Sequence, residues 1–241
     1  MNVMRTVSRL SGIIFDIDNT LYRNRAYTDA QTDLLVGRLA EHLGRSCEDM
    51  KQDIAARRRQ MADEAGGRTP SLANIFLEYN VDIATSVQWR EELLDPSAYL
   101  HSDPALRSTL SALGETHALV AVTNNPSSVG RATLSVLGVE SQFAGIVGLD
   151  DSGVSKPHAK PFQLGLQLIR AASRWAVPAS EVVSIGDRIP VDLEPAMELG
   201  MGAVLVESME DVYALDSGEL LTARAQSADH RQADNPGVFP G

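Results

Sequence analysis

Residues 12–22 read GIIFDIDNTLY: a small and apolar run from Gly12 to Phe15, then Asp16 and Asp18 two positions apart, then Asn19 and Thr20. A short apolar run that ends in carboxylates reads as a buried strand carrying charge to its carboxyl end. Four more apolar runs follow, at 118–122, 144–148, 182–185 and 203–206. Between them lie SSVGRATLSVLGV, KPFQLGLQLIRAASRW and VDLEPAMELG, each with apolar residues three or four apart, so each predicts a helix. Strands alternating with helices imply right-handed crossovers and an α/β fold, a doubly wound parallel sheet with helices on both faces. Such sheets gather their ligands at the carboxyl ends of the strands.

The stretch between the first strand and the helix DPALRSTLSAL at 103–113 is far longer than a loop requires, so something folded is inserted there. Within it, Thr28 to Gly44 has helical period with a capping residue at each end, and Ser46 starts a second helix that runs to the Gly66-Gly67 break. Pro70 and Ser71 open a third helix and 87–94 suggests a fourth. The expected organisation is core at 1–27, an all-helical insertion at 28–95, core again at 96–215, and a polar, loosely ordered tail at 216–241.

The 21 Lys and Arg against 32 Asp and Glu give a net charge of −11, the wrong sign for a polymeric nucleic-acid partner. Small phosphorylated metabolites stay open, because a bound divalent cation can reverse the local field. The single cysteine, Cys47, excludes an internal disulfide and any multi-cysteine metal site. Residues 1–12 carry Arg5 and Arg9 without a signal-length apolar run, and no later stretch approaches a membrane span, so the expectation is a soluble, cytoplasmic protein with no membrane partner.

Four motifs fall after four successive strands. In extended backbone Asp16 and Asp18 face one side, where two carboxylates about 4 Å apart repel by about 4 kcal/mol at a dielectric of 20. The pair implies a metal, a raised pKa or both, unless it is a solvated turn. Thr123, Asn124 and Asn125 offer uncharged donors to a phosphoryl oxygen, and the helix entered at Pro126, Ser127 and Ser128 adds N–H groups; an ordinary helix cap would look the same. Lys156, in SKP, can neutralise phosphate and carboxylate charge, with Lys160 as a competing candidate and a solvated lysine as the plain alternative. In GDRIPVD, Gly186 permits a tight turn, and Asp187 and Asp192 supply the oxygen-only donors that suit Mg²⁺. Each pattern is weak alone, but a doubly wound sheet would bring all four to one edge.

The ordered set DIDNT, TNN, KP and GDRIPVD resembles the four motifs of the haloacid dehalogenase superfamily, over residues 11 to 206. The helical insertion resembles that superfamily's C1 cap on a Rossmann-like core. The wording FDIDNTLY and GDRIPVDLEPAMELGM is similar to its phosphoglycolate-phosphatase-like and pyrimidine-nucleotidase-like branches. The resemblance implies a Mg²⁺-dependent phosphohydrolase acting on a small phosphorylated metabolite through an aspartyl-phosphate. It makes Asp16 the nucleophile and a metal ligand. Asp18 would ligate Mg²⁺ through its backbone carbonyl and act as general acid, then base. Thr123 and Asn124 would hold the phosphoryl group, Lys156 would stabilise its charge, Asp187 would bind the metal, and Asp192 would sit behind it or position Lys156. Asn-Asn-Pro after Thr123 departs from the usual pattern and leaves Asn125 without a role.

An acid at Asp18 argues against dehalogenation, because a halide leaves without a proton. A sugar phosphomutase and a catalytically silent phosphate- or metal-binding module are the competing expectations. In the insertion, Arg23, Arg25, Arg57, Arg58, Arg59 and Arg68 are candidates for a second anionic group, although a solvated helix face explains 57–59 equally well. His101 and His158 have no evident partner.

Overall fold

The computed structural model describes residues 1–65, 67, 69–173, 175–215, 218 and 220. In chain order the elements are β1 (Asn2–Arg5), β2 (Gly12–Phe15), α1 (Arg25–Leu43), α2 (Cys47–Glu64), α3 (Leu72–Leu77), α4 (Ile83–Leu93), α5 (Pro104–Gly114), β3 (Ala118–Val122) and α6 (Ser127–Leu137). They continue with β4 (Gly145–Val147), α7 (Leu149–Ser152), α8 (Ala159–Ala172), β5 (Val182–Gly186), α9 (Glu194–Glu198), β6 (Gly202–Leu205) and α10 (Met209–Tyr213).

The strands form one six-stranded sheet in the order β1-β6-β5-β2-β3-β4, parallel except for β1. Alternation along the strands builds both faces. Ile13, Phe15, Leu119, Ala121, Val183 and Ile185 enter one apolar cluster with α5, α6 and α10. Ile14, Val120, Val122 and Val182 enter the other with α8 and α9. Gly12 is required here by close packing, since a Cβ would stand 2.6 Å from Ile169 Cγ2 on α8. The connections leave β2 toward β3 on one side and return through β5 on the other, so β2 lies at the switch point where such sheets bind ligands.

The insertion has its own core, with Leu35, Leu39, Met50, Ile54, Ile75, Phe76 and Trp89 drawn from all four helices. Ser46 and Ser71 cap α2 and α3 as expected. The first helix starts earlier than Thr28: Asn24 is the cap, its Oδ1 accepting from Tyr27 N at 3.0 Å. The fourth also starts earlier, at Ile83 behind Asp82. Polar contacts join insertion and core, including Ser71 to Ser155 (2.8 Å) and Ser128 to Glu91 (2.6 Å).

Strand β1 was not foreseen. It is a mostly exposed edge, antiparallel to β6, without the continuous apolar run that marked the others. No helix among the described residues is long and apolar enough to cross a membrane. Of the expected tail, only Gly218 and Leu220 are described, and Leu220 is buried in the first cluster; the rest of it, like Arg68, lies outside the described residues.

Candidate active site

Asp16 follows β2, Thr123 follows β3, Lys156 lies in the segment between α7 and α8 beyond β4, and Asp187 follows β5. The sheet thus delivers all four motifs to one edge. Lys156 is the centre of the arrangement and is buried at 1% exposure. Its ammonium donates to Asp16 Oδ1 at 2.5 Å, Asp192 Oδ1 at 2.7 Å and the Val122 carbonyl at 3.0 Å. All three of its protons are therefore used. Burial works against the charge, but Asp16 and Asp192 outweigh it and hold Lys156 above its ordinary value.

Asp16 is anchored from behind by Ile185, whose carbonyl accepts its N–H at 2.9 Å, and by Thr20, whose hydroxyl reaches Oδ2 at 3.0 Å. The chain turns sharply to allow this, with Asn19 in the left-handed region at φ 61°, a conformation that Asn tolerates. Burial pushes Asp16 up to about 7; Lys156 opposes the rise, while Asp192 and Asp187 add to it. Asp187 is raised for the same reasons, burial first and then Asp192.

Carboxylate oxygens of Asp16, Asp187 and Asp192 lie within 4.8 Å of one another. Their remaining partners separate their roles. Asp192 has a donor on each oxygen, with Oδ1 on Lys156 and Oδ2 accepting from Arg188 N at 3.1 Å. Asp187 Oδ1 is buried and, among the described residues, has no hydrogen-bond donor, Arg188 Nε standing 3.7 Å away. An oxygen-only donor set with an unsatisfied buried carboxylate oxygen fits a hard divalent cation. Gly186 serves this packing differently from the expected turn: its φ is not positive, and a side chain there would collide with Asp192.

Asp18 stands apart from that cluster. Its carboxylate accepts from Tyr22 OH (2.5 Å), Gln31 Nε2 (3.1 Å), Asn125 Nδ2 (3.1 Å) and Thr123 Oγ1 (3.3 Å). Asn125 thereby gains a role that its sequence context did not supply. Thr20, Tyr22 and Gln31 were also missed: Thr20 and Tyr22 are legible only as turn spacing after Asp16 and Asp18, and Gln31 comes from α1. The Asn124 side chain is engaged with the Lys156 backbone, accepting its N–H at 2.7 Å.

A cavity of about 150 Å³ opens where the insertion meets this edge, lined by Asp18, Gln31, Arg58, Arg90, Asn125 and Arg188 among others. A larger depression, about 430 Å³, lies at the opposite edge beside Ser11, His117 and Trp175, away from the acidic cluster. Of the arginine candidates that are described, Arg58 alone lines the smaller cavity. Arg23 donates to the Val206 carbonyl, Arg25 pairs with Asp29, Arg57 with Glu78, and Arg59 reaches back to Ala55. Lys160 and His101 are exposed, and His158 caps α8 through Nδ1. Cys47 is exposed at the start of α2.

Enzymes of the hydrolase class are what this fold and edge define. Residues 10–200 match the model of the haloacid dehalogenase-like hydrolases, and the chain belongs to that family. It is 27% identical to a ribulose-1,5-bisphosphate 5-phosphatase from Halopiger xanaduensis over 93% of this chain and 94% of that one. It is also 27% identical to a glyceraldehyde 3-phosphate phosphatase from Methanocaldococcus jannaschii, over 84% and 89%. The fold is shared with a haloacid-dehalogenase-type phosphatase from Thermococcus onnurineus, at 22% identity and a TM-score of 0.57 over 82% and 86% of the two chains.

Proposed function

We propose that this chain hydrolyses phosphomonoesters of small metabolites, with Asp16 as nucleophile and Asp18 as general acid and base. The observation that carries the reading is the division of labour between the two carboxylates. Asp16 is buried against Lys156 beside Asp187 and Asp192, whereas Asp18, two residues on, sits outside that cluster within a ring of hydrogen-bond donors. Phosphatase relatives support the substrate class.

In the first displacement an Asp16 oxygen forms a bond to phosphorus as the ester oxygen leaves and takes a proton from Asp18. In the second, Asp18 takes a proton from water as the water oxygen attacks the same phosphorus, releasing phosphate and regenerating the Asp16 carboxylate. Lys156 holds positive charge against Asp16 throughout, and Asp192 keeps Lys156 in place. Thr123 and the Asn124 segment border the phosphoryl position, and Asn124 fixes the Lys156 backbone. Asp16 and Asp187, with the Asp18 main-chain carbonyl, would hold a divalent cation, assigned as Mg²⁺. Bound there, it supplies positive charge that lets an anionic carboxylate approach an anionic ester. The helical insertion serves as the cap over this edge, and the medium would be cytoplasmic.

The test is phosphate release from an aryl phosphate and a metabolite panel with Mg²⁺ and with chelator. Turnover should require metal and vanish in Asp16→Asn while circular dichroism stays native. No metal-dependent release from any member would sink the proposal; isomerisation without net phosphate would replace it with a mutase.

A further inference from the structure

Arg90, on α4, is 4% exposed, and its guanidinium has no carboxylate partner among the described residues. Nη1 donates to the carbonyl and hydroxyl of Ser86, one turn back, and the group lies 5.9 Å from the Phe76 ring centroid. Burial pushes it down to about 10, with Asp18 opposing. A buried charge without a counter-charge is costly, and buried charges are ordinarily paired. Arg58, on α2, repeats the anomaly. Among the described residues its Nε is buried without a partner, and Nη2 reaches the Pro70 carbonyl at 3.3 Å.

Both side chains line the 150 Å³ cavity that also contains Asp18, Asn124 and Asn125. Arg188 is there too, but it is already near Asp187 and Asp192, at 3.7 and 3.8 Å. An acidic chain has thus placed three guanidiniums around one small cavity whose sole carboxylate, among the described residues, is Asp18. Among the described residues no aromatic side chain lines it, so none of them offers a nucleobase a stacking surface. Its volume suits a short aliphatic chain.

We propose that Arg58 and Arg90 form a subsite for a second anionic group, so that the substrate is a short phosphomonoester bearing a phosphate or carboxylate at its far end. This rests on the phosphohydrolase reading above. With the ester phosphate beside Asp16, the distal oxyanion neutralises these two guanidiniums, which have no carboxylate partner among the described residues, through the N–H groups not already given to Ser86 and Pro70.

Matched substrates test it: a pentose 1,5-bisphosphate against the pentose 5-phosphate, and phosphoglycolate against its neutral amide. The doubly anionic member should have a kcat/KM about 10- to 100-fold higher, the range one charge-assisted hydrogen bond contributes in a dry site. That ratio should fall toward one in Arg90→Met and in Arg58→Gln, the second being the less buried position should the first variant fail to fold. Arg57→Gln, on the same helix but outside the cavity, should keep it. A wild-type ratio near one in both pairs, or a ratio unchanged in Arg58→Gln, overturns the subsite while leaving the hydrolase intact. Absence of turnover on these esters and on an aryl phosphate overturns the hydrolase reading instead.

Discussion

Replacing Asp187 by Asn should stabilise the metal-free protein and abolish its response to Mg²⁺. The oxygens of Asp16, Asp187 and Asp192 lie within 4.8 Å of one another. At that separation and an effective dielectric of 20, ionised Asp187 is repelled by each neighbouring carboxylate by about 3.5 kcal/mol, and Arg188 and Lys156 do not fully offset this together with its burial, so Asp187 stays raised. Asn keeps the shape and removes the charge, so a net gain of about 1–3 kcal/mol is expected near pH 8, raising Tm by several degrees. The gain must depend on pH, and its sign follows from the raised folded-state values of Asp16 and Asp187. Groups shifted upward contribute stability that is present below their unfolded pKa, near 4, and lost as pH rises through the folded value, about 7 for Asp16. Metal-free wild type should therefore lose stability between about pH 4 and 7, and the advantage of Asp187→Asn should grow over that window. Mg²⁺ at a hundred times its Kd should add about 2.7 kcal/mol to wild type and little to the variant. Urea unfolding of both proteins at pH 5.5 and 8, with chelator or Mg²⁺, measures each of these. A metal-free variant less stable than wild type at pH 8, or equal stabilisation of both proteins by Mg²⁺, would refute the reasoning.

Two further perturbations probe the surroundings. Gln31→Leu removes a donor to Asp18 and the acceptor of an Asn125 N–H, and should lower kcat about tenfold with KM little changed; steady-state kinetics showing an unaltered kcat would reject Gln31 as a positioning residue. Gly12→Ala drives a methyl into Ile169, and denaturant unfolding should show a loss of about 1–3 kcal/mol; no loss would contradict the packing of α8 on β2.

The sheet was legible because its parallel strands are buried on both sides. Ile13 and Ile14 face opposite clusters, so β2 reads as a continuous apolar run instead of an alternating one. β1 carries no such run, because an edge strand with mostly exposed residues needs none. The four motif residues were legible because chain topology alone fixes where strands end. Asn125 was visible as a residue but not as a role, since its contact to Asp18 depends on how β3 opens into α6. Gln31 and Arg90 carried no sequence signal at all. They lie on insertion helices whose registers are set by their own apolar core, and only the docking of that unit on the sheet brings them to the cavity.

That docking joins two things that a list of motifs keeps separate. Tyr22, Thr123 and Asn125 hold Asp18 from the core, whereas Gln31 holds it from α1 of the insertion. Arg58 and Arg90 also belong to the insertion, so on the proposed reading the subsite for the distal anion and one donor to Asp18 would be borne by the same folded unit. Its attachment to the core combines polar contacts, such as Ser71 to Ser155 and Ser128 to Glu91, with the Tyr27 ring buried in the core cluster against Tyr22 and Tyr99. If Arg58 and Arg90 bind the distal anion as proposed, its binding energy would favour the arrangement in which Gln31 also holds Asp18. A substrate lacking that anion should then lose kcat as well as affinity, because remote binding energy helps complete the reacting geometry, and an effect confined to KM would reject this coupling.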